Sequence, residues 1–119
     1  LSVSVPVLED NLDRNGLRLR CGKVRAAEVP VLELEEASPG AINKIRAEIE
    51  AAIREDKAGA IALGCAGMAD LAHALSAEFG IPVVDGVAAA VRLADVALDI
   101  GGRDALESPI PGARLDAVT

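Results

Sequence analysis

The residues of this chain with the clearest chemical potential stand together at Leu63-Gly64-Cys65-Ala66-Gly67-Met68. An apolar run, Ala58–Leu63, leads into them and a helix-like run, Met68–Phe79, follows, so Cys65 falls between a strand end and a helix N-terminus. The positive end of a helix dipole favours a thiolate over a thiol. Gly64 and Gly67 permit a sharp backbone turn, after which the amides of Ala66, Gly67 and Met68 are expected to converge on an anion. A thiolate beside such amides can remove a proton from a carbon next to a carbonyl while the amides hold the enolate oxygen. Residue type alone admits a second reading, a small buried hydrophobe that fits a tight turn. The short Gly-Cys-x-Gly string leaves both open.

The other reactive residue types are sparse. Cys21 sits in a strand-like stretch, LRLRCGKVRA, with no helix start after it, and basic neighbours at Arg20 and Lys23 are of the kind that lowers a thiol's pKa. His73 falls on the polar side of its helix, which fits a surface residue better than a general base. Asp85, in an Asp-Gly turn, is expected to cap the helix after it. Glu33, Glu35 and Glu36 lack a histidine nearby and read as a solvated acidic patch, so no metal site is expected.

Strand-like and helix-like segments alternate along the chain. Proline is tolerated in a first helical turn, so Pro6–Asn15 can form a helix that stops at Gly16. Arg20–Ala26 is a short strand candidate, and EVPVLELEEASPG reads as an extended connection leading to a helix start at Ser38-Pro39. Ile42, Ile45, Ile49 and Ile53 then recur at steps of three and four and define one buried helix face. The opposite face, with Lys44, Arg46, Glu48, Glu50, Arg54 and Glu55, reads as solvated, with Glu50 and Arg54 spaced to support each other. Ala58–Leu63 and Ile81–Val84 suit buried strands, and Val87, Ala90, Val91, Ala94 and Leu98 form an apolar stripe on the helix after Asp85. Residues 101–119 mix Gly, Pro and charge without a period and are expected to form an irregular tail on a domain of residues 1–100. Two successive strand-helix units imply an α/β fold with a parallel sheet and right-handed crossovers. Ligands then sit at the carboxyl ends of the strands, the edge that holds both Cys65 and Asp85-Gly86.

Composition narrows the function classes. Of 119 residues, 12 are basic and 19 acidic, and the formal charge of -7 opposes nucleic-acid binding. One Phe and neither Tyr nor Trp leave no stacking platform for single strands. No apolar run approaches the roughly 20 residues of a membrane span. The start, LSVSVPVLED, lacks a basic n-region and a cleavage motif, and the two cysteines lack metal or disulfide-scaffold spacing, so a cytoplasmic setting is expected. A first residue other than Met is what a cut through a longer protein would give.

The runs IALGCAGMADLAHAL and GIPVVDGVAAAVRLA, in this order and at this distance, resemble the C-terminal half of hydantoin and allantoin racemases of the Asp/Glu racemase superfamily. The stretch VPVLEDNLDRNGLRLRCGKVRAAEVPVLELEE resembles the segment before that motif, and the likeness fades after Gly101. The resemblance implies a Rossmann-like αβα sandwich that forms one lobe of a pseudo-two-fold fold. It also implies a racemase working without metal or pyridoxal, in which one cysteine thiolate takes a proton from the stereocentre and an opposing cysteine returns one. Cys65 matches the second cysteine, whereas the first belongs to an N-terminal lobe with no counterpart in this sequence; the family's segment places Cys21 away from the cleft, as a structural or incidental thiol. The turn at Asp85, Gly86 and Val87 borders the site in the family, and Ser4 corresponds to a small hydroxyl position over the cleft. A small-molecule substrate, the N-terminal lobe and further copies of the chain are the partners so implied. Related members of the superfamily act as amino-acid racemases, maleate isomerases or single-cysteine decarboxylases. A truncated lobe serving only as an interaction domain is the non-enzymatic alternative.

Overall fold

The computed structural model describes residues 1–36, 38–65, 68–99 and 115–118. Four strands, β1 (Cys21–Arg25), β2 (Ala60–Leu63), β3 (Val83–Asp85) and β4 (Leu115–Val118), form one sheet in the order β1-β4-β2-β3. Every pairing in it is parallel. Among the described residues five α-helices accompany it: α1 (Val5–Arg14), α2 (Val31–Glu35), α3 (Pro39–Ala51), α4 (Ala69–Phe79) and α5 (Gly86–Asp99). Parallel neighbours require long crossover connections, which α4 supplies between β2 and β3.

The position of β4 corrects the expectation of an irregular tail. Residues 115–118 pair with β1 on one side and β2 on the other, so they lie inside the sheet. Their four-residue run follows a Gly- and Pro-rich stretch, and so short a segment carries too few alternations to stand out as a strand. The rest of the expected tail, residues 101–114 and 119, lies outside the described residues. A second difference falls at the expected extended connection, where Val31–Glu35 form α2. Pro30 precedes it with extended backbone, and its carbonyl accepts from the N–H groups of Glu33 and Leu34.

The isoleucine face of α3 behaves as its spacing predicts. Ile45 and Ile49 are buried, and Ile53 is half-buried against the same core as Ile61, Leu63, Leu75 and Val83. Ser38 caps the helix, its Oγ accepting from the Ala41 N–H at 3.2 Å, and Pro39 occupies the first helical position. A π-helical turn, Ala52–Asp56, extends the helix to Lys57 in the left-handed region. The opposite face is not simply solvated. Arg25 of β1 is only 8% exposed and meets Asp56 at 2.6 Å, Glu55 at 2.7 Å and Glu48 at 3.3 Å. The hydrogen bond to Asp56 above all, with those to Glu55 and Glu48, holds the guanidinium more firmly protonated against the cost of its burial. Arg25 thereby fixes β1 against the end of α3. Arg46 reaches Glu78 on α4 at 3.0 Å, and Arg54 pairs with Glu55 at 3.1 Å.

Two features set the height of β3, which carries Asp85. Gly80, at φ 67°, closes α4 in the left-handed conformation that only glycine adopts without strain. Ser76 on the last turns of α4 then receives the N–H of Val83 at 2.8 Å, with its own hydroxyl within reach of the carbonyls of Ala72 at 2.9 Å and Val83 at 3.1 Å. Ser76→Ala leaves the Val83 N–H without its partner and should lower stability by about 1–2 kcal/mol. Urea denaturation of the two proteins checks this, with an unchanged slope and an earlier midpoint.

The apolar stripe expected on α5 is present but not covered. Val87, Val91, Leu93 and Val96 are all exposed, as are Ala90 and Ala94. The side chain of Leu98 lies outside the described set. No helix among the described residues is long and apolar enough to cross a membrane.

Candidate active site

The carboxyl ends of β2 and β3 lie side by side, with Leu63 in register with Asp85. Beyond Leu63 the chain leaves the sheet through Gly64, which is exposed, and Cys65, which is half-buried against the core. Beyond Asp85 the chain enters α5 directly at Gly86, without an intervening turn residue. A Cβ on Gly86 would stand 3.4 Å from the Leu63 carbonyl oxygen, so the two strand ends are in close contact. This is the edge of the sheet that parallel topology makes functional. Val87 is exposed in the first turn of α5.

Among the described residues, Cys65 lines a small apolar cleft. The other walls are Ala27, Val29, Leu34, Ile45, Leu63 and Met68. None of them carries a charge. Sequence spacing alone did not bring Ala27, Val29 and Leu34 to this place, because they belong to the connection and short helix between β1 and α3. Their stretch, AAEVPVLEL, is apolar but interrupted by Glu28, Pro30 and Glu33, so it carries no clear signal of burial.

Asp85 is more than a cap for the helix after it. Its Oδ1 accepts from the Ala88 N–H at 2.8 Å, which is the expected cap of α5. Its Oδ2 accepts from the Met68 N–H at 3.2 Å, the residue preceding α4. One carboxylate, 5% exposed, therefore serves the N-termini of two helices. The amide of Met68, expected to face a bound anion, is directed at Asp85 instead. Ala66 and Gly67, the other residues of that expected cradle, lie outside the described residues. The Ala88 amide chiefly, with those of Met68 and Val87, holds the Asp85 carboxyl below the usual carboxylate range although burial opposes this. The folded state thus favours the charged form. Its contribution to stability is complete above about pH 4 and is lost as pH falls through the lowered value.

Ser4 is not among the residues lining the cavity. It stands at the N-terminus of α1, which packs on β1, and caps that helix with no side-chain hydrogen bond. The turn before it is tied to the cavity-lining connection through the Ser2 N–H, which donates to Glu28 Oε1 at 2.8 Å. Cys21 is buried, with its Sγ 3.6 Å from the Lys23 carbonyl oxygen, and does not line the cavity. His73 is exposed on α4. Among the described residues no cluster of three or more His, Cys, Asp or Glu side chains is placed to hold a metal ion.

Comparison with known proteins identifies the family. The family model described as Asp/Glu/hydantoin racemase matches residues 1–94. A hydantoin racemase of Rhizobium meliloti is 48% identical over 98 residues, which is 82% of this chain and 41% of that protein. One from Pseudomonas sp. (strain NS671) is 42% identical over 95 residues, 80% of this chain and 38% of its own length. Among solved structures, the allantoin racemase of Pseudomonas fluorescens superposes with a TM-score of 0.80 at 44% identity. That superposition covers 94% of this chain and 49% of the allantoin racemase, and it places the parallel α/β architecture among Rossmann-like racemase folds. The chain spans about two fifths of the length of the curated relatives it matches. From residue 1 to residue 94 the chain belongs to the Asp/Glu/hydantoin racemase family.

Proposed function

We propose that this chain forms the Cys65-bearing half of a cofactor-independent racemase acting on a hydantoin-type ring. The observation that carries the reading is the place of Cys65, at the carboxyl edge of a parallel sheet and on the wall of an apolar cavity. In the proposed reaction the Cys65 thiolate removes the proton from the carbon between a ring carbonyl and a ring nitrogen. The electron pair of that C–H bond passes to the carbonyl oxygen as an enolate. A second thiol on the opposite face, supplied by an N-terminal half, returns a proton to the carbon, and the stereocentre is inverted. Run in the other direction, the two thiols exchange roles. Neither metal nor organic cofactor takes part.

The uncharged cavity walls favour a substrate with an apolar ring substituent over one bearing a second carboxylate, since a buried carboxylate needs a cation or several N–H donors. The exposed apolar residues of α5 supply a surface for the N-terminal half or for another copy of the chain. A cytoplasmic setting fits two cysteines that form no disulfide.

The test is a fusion of this chain behind the N-terminal half of a hydantoin racemase relative. With an enantiopure hydantoin bearing an alkyl substituent, optical rotation should decay to zero. A folded fusion that leaves the rotation unchanged would contradict the reading.

A further inference from the structure

We infer that Asp85 is a positioning residue for the proton transfer at Cys65: its carboxylate ties the β2–α4 turn, on which Cys65 stands, to the first turn of α5. The inference rests on the racemase reading above and goes beyond it by assigning the part of the fold that holds the reactive thiol in place. Three observations meet here. Asp85 is 5% exposed, so its carboxylate faces the protein and little of it is left for a substrate. Its two oxygens divide between two elements, Oδ1 accepting from Ala88 at 2.8 Å and Oδ2 from Met68 at 3.2 Å. Gly86, the first residue of α5, lies against the carbonyl of Leu63 at the end of β2, so the two elements are already in contact where this bridge forms.

Gly64 is exposed, and among the described residues the Met68 N–H is the group at the far end of the turn that reaches across to another strand. A nucleophile or base must sit within a few tenths of an ångström of its productive position, and an error of about 1 Å can cost on the order of 10²-fold in rate. A buried, charge-assisted hydrogen bond to the backbone three residues after the thiol is a suitable restraint. Aspartate fits this double task because an ionised carboxylate accepts at both oxygens. The isosteric amide of asparagine accepts at one only and sets an NH₂ against the other N–H.

Two substitutions separate the tether from ordinary helix capping. Asp85→Asn breaks one of the two links. Asp85→Ser keeps a good N-cap for α5, but its single short hydroxyl does not also reach Met68. Ser38→Ala, which removes the cap of α3 away from the site, serves as a control for loss of a cap alone. Hydrogen exchange of the amides is read on the chain itself, and kcat and KM on the active fusion.

The expected result for Asp85→Ser is loss of protection at the Met68 amide, retained protection at Ala88, a fall in kcat of at least about ten-fold and little change in KM. Ser38→Ala should leave kcat unchanged. If the Met68 amide loses protection in either Asp85 variant while kcat stays at the wild-type value, Asp85 is only a helix cap and the inference is overturned. It is also overturned if Ser38→Ala lowers kcat as much as Asp85→Ser, since general loosening would then account for both. Failure of the racemase reading looks different, because the wild-type fusion would then leave the rotation of the hydantoin unchanged, whatever residue stands at position 85.

Discussion

Cys65→Ala should lower the racemisation rate by about 10²–10⁴-fold in both directions, the range that a positioned acid or base contributes. In the proposed mechanism each direction needs both thiols, one to take the proton and one to give it back, so losing either should stop inversion whichever enantiomer is supplied. Cys21→Ala is the matched control. Cys21 is buried in β1, with its sulfur near the Lys23 carbonyl and outside the cavity lining. Its replacement should leave the rate within about two-fold of wild type, a change worth well under 1 kcal/mol of barrier. Chiral chromatography of a hydantoin substrate over time, on the fusion described above, measures both. Equal losses at the two cysteines would show that the effect comes from folding rather than from proton transfer.

The largest expected effect on stability is at Ile49. Its side chain is fully buried on α3 in the core that also includes Ile61 and Leu75. Ile49→Ala removes three heavy atoms and leaves a cavity that the surrounding aliphatic side chains can only partly fill. The cost should be about 3–4 kcal/mol. Domains of ordinary stability hold roughly 5–15 kcal/mol in total, so this one substitution removes a large share of it. Ile53, half-buried on the same face, provides the graded comparison, since Ile53→Ala should cost clearly less. Equilibrium denaturation in urea measures both, and equal costs would show that the α3 face is not buried as the structure has it.

The parts of the fold that the sequence made legible were those with a strong local period or a distinctive terminus. The isoleucine spacing placed α3, Ser38-Pro39 marked its start, and Gly80 marked the end of α4. The Asp-Gly pair located the cap of α5. In each case the signal lay within a few residues of the feature it specified. Where the structure departs from the sequence reading, the deciding contact lies far along the chain. Leu115–Val118 become an interior strand through pairing with β1 and β2, both more than fifty residues earlier, and nothing in four residues announces that. The acids at 48, 55 and 56 answer to Arg25, which precedes the helix they stand on.

The site divides in the same way. Cys65 and the strand ends around it were legible because a thiol between glycines at a strand-helix junction is a local pattern. The cavity walls from Ala27, Val29 and Leu34 were not, because a connection and a five-residue helix carry no periodicity that points to their target. The second role of Asp85 was also hidden. Its partner, the Met68 amide, is seventeen residues away and a backbone group, so residue type could not reveal it. Ser76 shows the same limitation: a serine inside a helix reads as neutral until Val83 is seen to donate to it.

The most direct test of the central claim, that Cys65 is one of two opposed bases, is deuterium exchange at the stereocentre in D₂O with each enantiomer supplied separately. The wild-type fusion should incorporate solvent deuterium from either enantiomer together with inversion. In Cys65→Ala only the thiol on the opposite face remains. One enantiomer should then still exchange its proton, with its configuration retained, while the other should keep its proton. Inversion of either enantiomer at the wild-type rate in Cys65→Ala would contradict the claim, as would equal exchange of both.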